Sequence, residues 1–205
     1  PDTLLAVGAP AGAPADAALA QSRELLQRLG ALYGPDRSHV LVGAEAQEDT
    51  FAHAARGRGV LQLATHGLLD AASPLYSSLL LAPGAGGDGR LEAREVLDLR
   101  LDADLAVLSA CETARGRVGA GEGLVGLAWA LFVAGVPRVV VSQWSVEAAS
   151  TTTLMLAFHR ARLRSATGPA GVAEALRAAA LALRRDPRYR HPFYWAAFSV
   201  VGDGA

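Results

Sequence analysis

The segment Leu105-Ala106-Val107-Leu108-Ser109-Ala110-Cys111 is a nearly continuous apolar run that ends at the chain's one thiol. A short run of this kind, without polar alternation, reads as a strand buried on both faces. It spans Leu105 to Ala110, with Cys111 just past its carboxyl end. Upstream, Leu4 to Val7, Val40 to Val42 and Val60 to Ala64 read the same way, and the last of these carries Thr65-His66-Gly67 at its end. Downstream come Arg138 to Ser142, closing on Gln143-Trp144, and a final strand from Trp195 to Val201. Helical segments fill the gaps: Ala17 to Leu32 behind a capping Asp16, Glu45 to Arg56, Glu92 to Leu97, Glu122 to Ala134, Ala148 to Leu163 and Ala170 to Arg184. A short strand, Ser78 to Ala82, followed by the turn-rich stretch Pro83 to Gly89, predicts a hairpin on the sheet's edge.

Strands alternating with helices predict an α/β fold with a mostly parallel, doubly wound sheet covered on both faces. Ligands of such sheets bind beyond the carboxyl ends of the strands. His66, Cys111 and Trp144 all fall there, so three side chains far apart in sequence converge on one rim. No repeat or boundary interrupts the 205 residues, which therefore read as one domain, 1–205. The chain opens at Pro1-Asp2 without Met and runs straight into a strand, the pattern expected of the C-terminal part of a longer protein.

Composition removes several function classes. With 51% hydrophobic and 19% charged residues the chain is globular. A net charge of −1 predicts no nucleic acid bound directly and no anionic membrane surface. All 19 basic residues are Arg, which together with heavy Ala and Gly usage reads as coding bias. A single Cys rules out an internal disulfide and points to a cytoplasmic location. There is no apolar run long enough to span a membrane. The five His residues show no ligand spacing and no second Cys joins them, so no metal is expected. Gly119-Ala120-Gly121-Glu122-Gly123 lacks the Lys-Ser/Thr of a phosphate loop, and no cofactor is expected either.

A lone Cys is most often a small buried hydrophobe. Position argues otherwise for Cys111: a thiol on the rim, ahead of Glu112-Thr113 and a Gly-rich stretch, is placed to ionise and act as a nucleophile. His66 is the natural general base, since imidazole titrates near neutrality. It lies 45 residues before Cys111, against about 50 for the caspase interval. The backbone N–H groups of Gly67 and Cys111 are candidate oxyanion donors.

Several linked motifs now resemble the CHAT family, the caspase-like domains associated with TPR repeats. They are Ala64-Thr65-His66-Gly67, Ser77 to Ala82, Val107 to Thr113, Gly121-Glu122-Gly123, Ala134-Gly135-Val136, Ser142 to Val146 and Pro192 to Phe198. The resemblance implies a caspase-like three-layer sandwich: a six-stranded sheet, helices on both faces, and an antiparallel last strand. It also implies a bacterial cysteine endopeptidase, with His66 as base and Cys111 as nucleophile, cutting a partner protein in defence or signalling. Access would be governed by upstream TPR-type repeats or a regulatory partner. Substrate-binding positions implied are Ser109, two before Cys111, and Ser142, Gln143, Trp144, Ser145 and Glu147 after the fifth strand. Relatives that read a basic P1 residue often carry Asp near these places; here Glu147 is the acid present, and it reads equally well as a helix-start carboxylate. No Arg stands beside Cys111 closer than Arg115, so P1 stays open. Two rivals remain: a catalytically silent CHAT-fold interaction module, and a thiol enzyme acting on small molecules. Intact His66, Gly67 and Cys111 argue against the first.

Overall fold

A computed structural model describes residues 2–13, 17–70, 72–109, 122–164 and 169–203. Asp16, Cys111 and most of the Gly-rich stretch after it lie outside the described residues.

The strands of the main sheet are β1 (Leu4–Pro10), β2 (Ser38–Gly43), β3 (Val60–Ala64), β7 (Leu105–Leu108), β8 (Arg138–Ser142) and β9 (Phe198–Gly202). They lie in the order β2-β1-β3-β7-β8-β9, all parallel except β9, which runs antiparallel to β8. This is the six-stranded caspase-like arrangement expected. The order reverses between β1 and β3, and chain connections leave in opposite directions from that point, which opens a crevice at the strand ends.

Period-two alternation sorts the side chains of each strand onto two faces. Leu61 and Leu63 of β3 join one core with Leu5, Val7, Ala106 and Leu108. That core is covered by α2 (Glu48–Ala54), α3 (Ala93–Val96) and α4 (Glu122–Val133). Val60 and Ala64 join the other with Leu4, Ala6, Leu105 and Val107. Its cover is α1 (Ala17–Tyr33), α5 (Ala148–Arg164) and α6 (Pro169–Arg184). Among the described residues no helix is long and apolar enough to cross a membrane.

Two expectations need correction. Ser78 to Gly89 does form a hairpin arm, but not on the main sheet. β5 (Ser78–Leu80) pairs with β6 (Arg90–Glu92) and with β4 (Gly67–Leu68) in a separate antiparallel sheet. The reason is that β3 already has β1 and β7 on its two sides, so the chain leaving it at Gly67 must pair elsewhere. The last strand also begins at Phe198 and not at Trp195. Pro192 starts a single 3-10 turn through Tyr194, and the Trp195 indole N–H is tied to the Arg190 carbonyl at 3.2 Å.

Candidate functional site

His66 follows β3 by two residues and is only 5% exposed. Leu80 grips this segment twice: its N–H donates to the His66 carbonyl at 2.9 Å, and its own carbonyl accepts the Thr65 hydroxyl at 2.5 Å. The small sheet therefore fixes the backbone on which the imidazole is mounted. Gly67 is buried, and faces Leu79 across the β4–β5 pair. Below, Gly8 of β1 is pressed so closely to β3 that a Cβ there would stand 1.9 Å from the Ala64 carbonyl oxygen. Glycine at this position is what lets β1 and β3 meet beneath Thr65-His66.

Ser109 continues β7 by one residue, giving its N–H to the Leu63 carbonyl at 3.0 Å. Its side chain is the end of a buried polar thread. Gln62 is the one polar residue of β3 and is fully buried; its Nε2 donates to Ser109 Oγ at 2.7 Å and to the Val107 carbonyl at 3.5 Å. With the amide nitrogen so committed, Oε1 accepts from His159 Nε2 at 2.9 Å. That fixes the tautomer: His159 Nδ1 accepts the Tyr33 hydroxyl at 2.9 Å. Arg162 Nη1 donates to the Tyr33 oxygen at 3.3 Å and pairs with Asp2 at 3.2 Å. Burial, and then the nearby Arg162 charge, push His159 down to about 3, so it is neutral under ordinary conditions. Burial likewise raises the Tyr33 hydroxyl, which stays protonated.

His66 and Ser109 line one small cleft. The first turns of α1 and α5 form its other walls, contributing Ser22, Thr151 and Thr152 among others. Thr152 Oγ1 reaches the Gln21 carbonyl at 3.5 Å and ties the two helices together there. Cys111, two residues beyond Ser109 in sequence, lies outside the described residues.

The segment after β8 sits apart from this lining. Ser142 pairs with Phe198. Gln143 extends the pairing by giving its N–H to Ala197 at 2.8 Å, and its Nε2 donates to the Ser199 hydroxyl. Trp144 is half-buried and donates from its indole to the Phe193 carbonyl at 3.1 Å. Ser145 and Glu147 are exposed, and the Glu147 carbonyl accepts Ser150 Oγ and the Thr151 N–H at the start of α5. Among the described residues no cluster of His, Cys, Asp or Glu is arranged to hold a metal ion.

Sequence reasoning passed over Gln62, His159 and Thr151. The signals were a single Gln inside an apolar strand, and the run Ser150-Thr151-Thr152-Thr153 opening a helix, where such residues are poor formers.

Comparisons with known proteins bear on the same residues. The family profile described as CHAT domain matches residues 1–203. Tetratricopeptide repeat protein 28 of Mus musculus is 36% identical over 112 residues, and that of Homo sapiens is 31% identical over 112 residues. Each match takes in 55% of this chain and 4% of the relative, so the chain spans a small fraction of the length of these curated relatives. The crystal structure of the Arg-specific cysteine proteinase gingipain R (RGPB) superposes with a TM-score of 0.59 at 14% identity, covering 98% of this chain and 46% of that one. The complex of Porphyromonas gingivalis RgpB pro- and mature domains gives 0.63 at 13%, covering 99% and 47%. At these identities the likeness is one of fold.

Proposed function

The chain belongs to the CHAT domain family, and from that premise we propose that it is a cysteine endopeptidase domain with His66 as general base and Cys111 as nucleophile. His66 takes the thiol proton, and the thiolate adds to the peptide carbonyl carbon. The backbone N–H groups of Gly67 and Cys111 receive the oxyanion. The tetrahedral species expels the amine, which takes the proton from His66, and leaves a thioester that water then hydrolyses with His66 again as base. Ser109 and the segment Ser142, Gln143, Trp144, Ser145 and Glu147 border the substrate.

One observation carries this reading. His66 is a buried imidazole clamped at a strand end, and it lines the same small cleft as Ser109, two residues before the chain's one thiol. The cysteine-proteinase neighbours of like fold support it. The TPR-named relatives support control by TPR-type repeats acting on a protein substrate. A cytoplasmic, bacterial defence or signalling setting completes the proposal, although the curated relatives are mammalian.

Cys111 is the only alkylation target, so the test is direct. Iodoacetamide should react below neutral pH faster than with free cysteine, and His66→Ala should slow it. Gly67→Val should lower turnover about 100-fold or more, the effect of one lost oxyanion donor. A thiol inert until denaturation would sink the enzyme reading and leave a silent interaction module.

A further inference from the structure

Charge is unevenly spread along this chain. Arg184, Arg185, Arg188 and Arg190 fall within seven positions with Asp186 the one acid among them, a net of +3 in a chain whose total is −1. All four Arg are exposed. Arg188 is held by Asp186 at 2.7 Å and also feels the Glu147 carboxylate. Arg184, Arg185 and Arg190 make no ion pair among the described residues.

Aromatic residues hold this segment in shape. Pro187 and Pro192 each start a single 3-10 turn, capped by Asp186 and His191. The Tyr194 ring packs at 5.4 Å against both Tyr189 and Phe193. The Arg184 guanidinium stands 5.9 Å from the centre of the Trp195 ring, and that of Arg188 stands 5.2 Å from the centre of Tyr189. Long Arg side chains restrained in this way lose less freedom when a partner arrives.

The topology joins the segment to the rim. β9 runs antiparallel, so it begins where the parallel strands end, with Phe198 beside Ser142. Trp144 donates to the Phe193 carbonyl and Gln143 to that of Ala197. β9 lies two strands from β7, which Ser109 continues. At about 4.8 Å per strand that is about 10 Å, or about three residues of extended chain.

We propose that this strip is a docking surface for an acidic stretch of the substrate polypeptide, with Asp or Glu beginning about three residues from the cleaved bond. This rests on the peptidase reading of the rim and adds what selects the substrate. Carboxylates there meet three guanidinium groups with no competing acid paired to them. Single-stranded nucleic acid is the poorer match, because its bases need open ring faces. Here Arg184 occupies a face of Trp195, Arg188 a face of Tyr189, and Tyr194 sits against two other rings.

Binding and cleavage are measured separately on the full-length protein. Fluorescein-labelled peptides carrying a block of Glu, the same peptides with Gln in its place, and a single-stranded oligouridylate are titrated onto the Cys111→Ala form by anisotropy. The Glu peptide should bind about 10-fold tighter than the Gln peptide at low salt, the combined worth of three exposed charge contacts. The advantage should fade toward 1 M salt, where the Debye length is about 3 Å. Arg184→Glu, Arg185→Glu and Arg190→Glu combined should erase it. Arg56→Glu, an exposed position ahead of β3 at the opposite end of the sheet, should not. If the triple variant melts early, Arg185→Gln with Arg190→Gln, neither of which lies over a ring, should still weaken binding about 3-fold. Cleavage of a peptide library by the unmodified protein should rise when Glu stands about three or more residues from the bond on one side, through KM more than kcat. No Glu advantage, an advantage that survives the Arg substitutions, tighter binding of the oligouridylate, or cleavage indifferent to acid on either side overturns the docking surface and leaves the peptidase reading. Glu-selective binding with no cleavage of any library member overturns the peptidase reading alone.

Discussion

The two faces of the main sheet are built on different principles. Under α2, α3 and α4 the core is made of Leu, Val, Ala and Phe51 in simple contact. Under α1, α5 and α6 a comparable apolar core is crossed by the thread from Arg162 through Tyr33, His159 and Gln62 to Ser109. Thr151 and Thr152 are buried on that side too. An apolar core tolerates repacking as long as volume is kept. A chain of buried hydrogen bonds does not, because removing any link strands its partners. Rigidity is therefore concentrated on the side that ends at Ser109 and the cleft.

Four experiments test that contrast. The largest effect belongs to the rim itself. His66→Ala should reduce peptide cleavage by about 10²–10⁴-fold, the worth of a positioned base, in a kinetic assay at neutral pH. A loss no greater than that of an exposed control on α6 would dissolve the functional distinction between the faces. Second is a plain core cut on the dry side. Phe51→Ala should cost about 3–5 kcal/mol in urea unfolding, while the folded fraction keeps its cleavage specificity. A changed specificity there would mean the dry face also shapes the site.

The third probes the thread by acid. His159 is held down to about 3 in the fold and returns to its ordinary value near 6.5 when unfolded. The unfolded chain then binds the extra proton, so stability is complete above about 6.5 and is lost as pH falls toward 3. At pH 5 the loss from this residue should be about 2 kcal/mol, and His159→Phe should flatten that part of the curve. An unchanged acid limb would show that the thread is wetter than drawn. The smallest effect is a coupling. Gln62→Leu and His159→Phe together should be less damaging than their sum by about 1 kcal/mol, since each alone orphans the other. Strict additivity would mean the two groups do not act as one unit.

Much of the fold was legible because its strands are continuous apolar runs. Arg138 to Ser142 emerged with the bounds read from sequence; of the three side chains read onto one rim, His66 lines the cleft, Trp144 is not part of that lining, and Cys111 lies outside the described residues. Motif resemblance supplied the antiparallel last strand. What local pattern cannot show is which strand a short segment will choose. Ser78–Leu80 looks like any edge strand until β3 is seen to be saturated on both sides. Nor does pattern reveal the thread: Gln62 and His159 are 97 positions apart, and only the packing of α5 over β3 makes them partners. The unpaired, buried hydroxyl of Thr151 is more remote still, being defined by what its neighbours have already taken.

The strand order has a further consequence, for how the molecule reaches its fold. Leu4 must find Ser38 on one side and Val60 on the other, Val60 must find Leu105, and Val139 must wait for Val201 near the end of the chain. Every ladder of the main sheet closes a long loop before any contact rewards it, and such topologies fold slowly, in about milliseconds to seconds or longer. Until β9 arrives, β8 presents an unpaired edge of Val139, Val140 and Val141 to any other chain nearby. Synthesis from the amino end leaves that edge open longest, so truncation within β9 should yield aggregates and little folded protein.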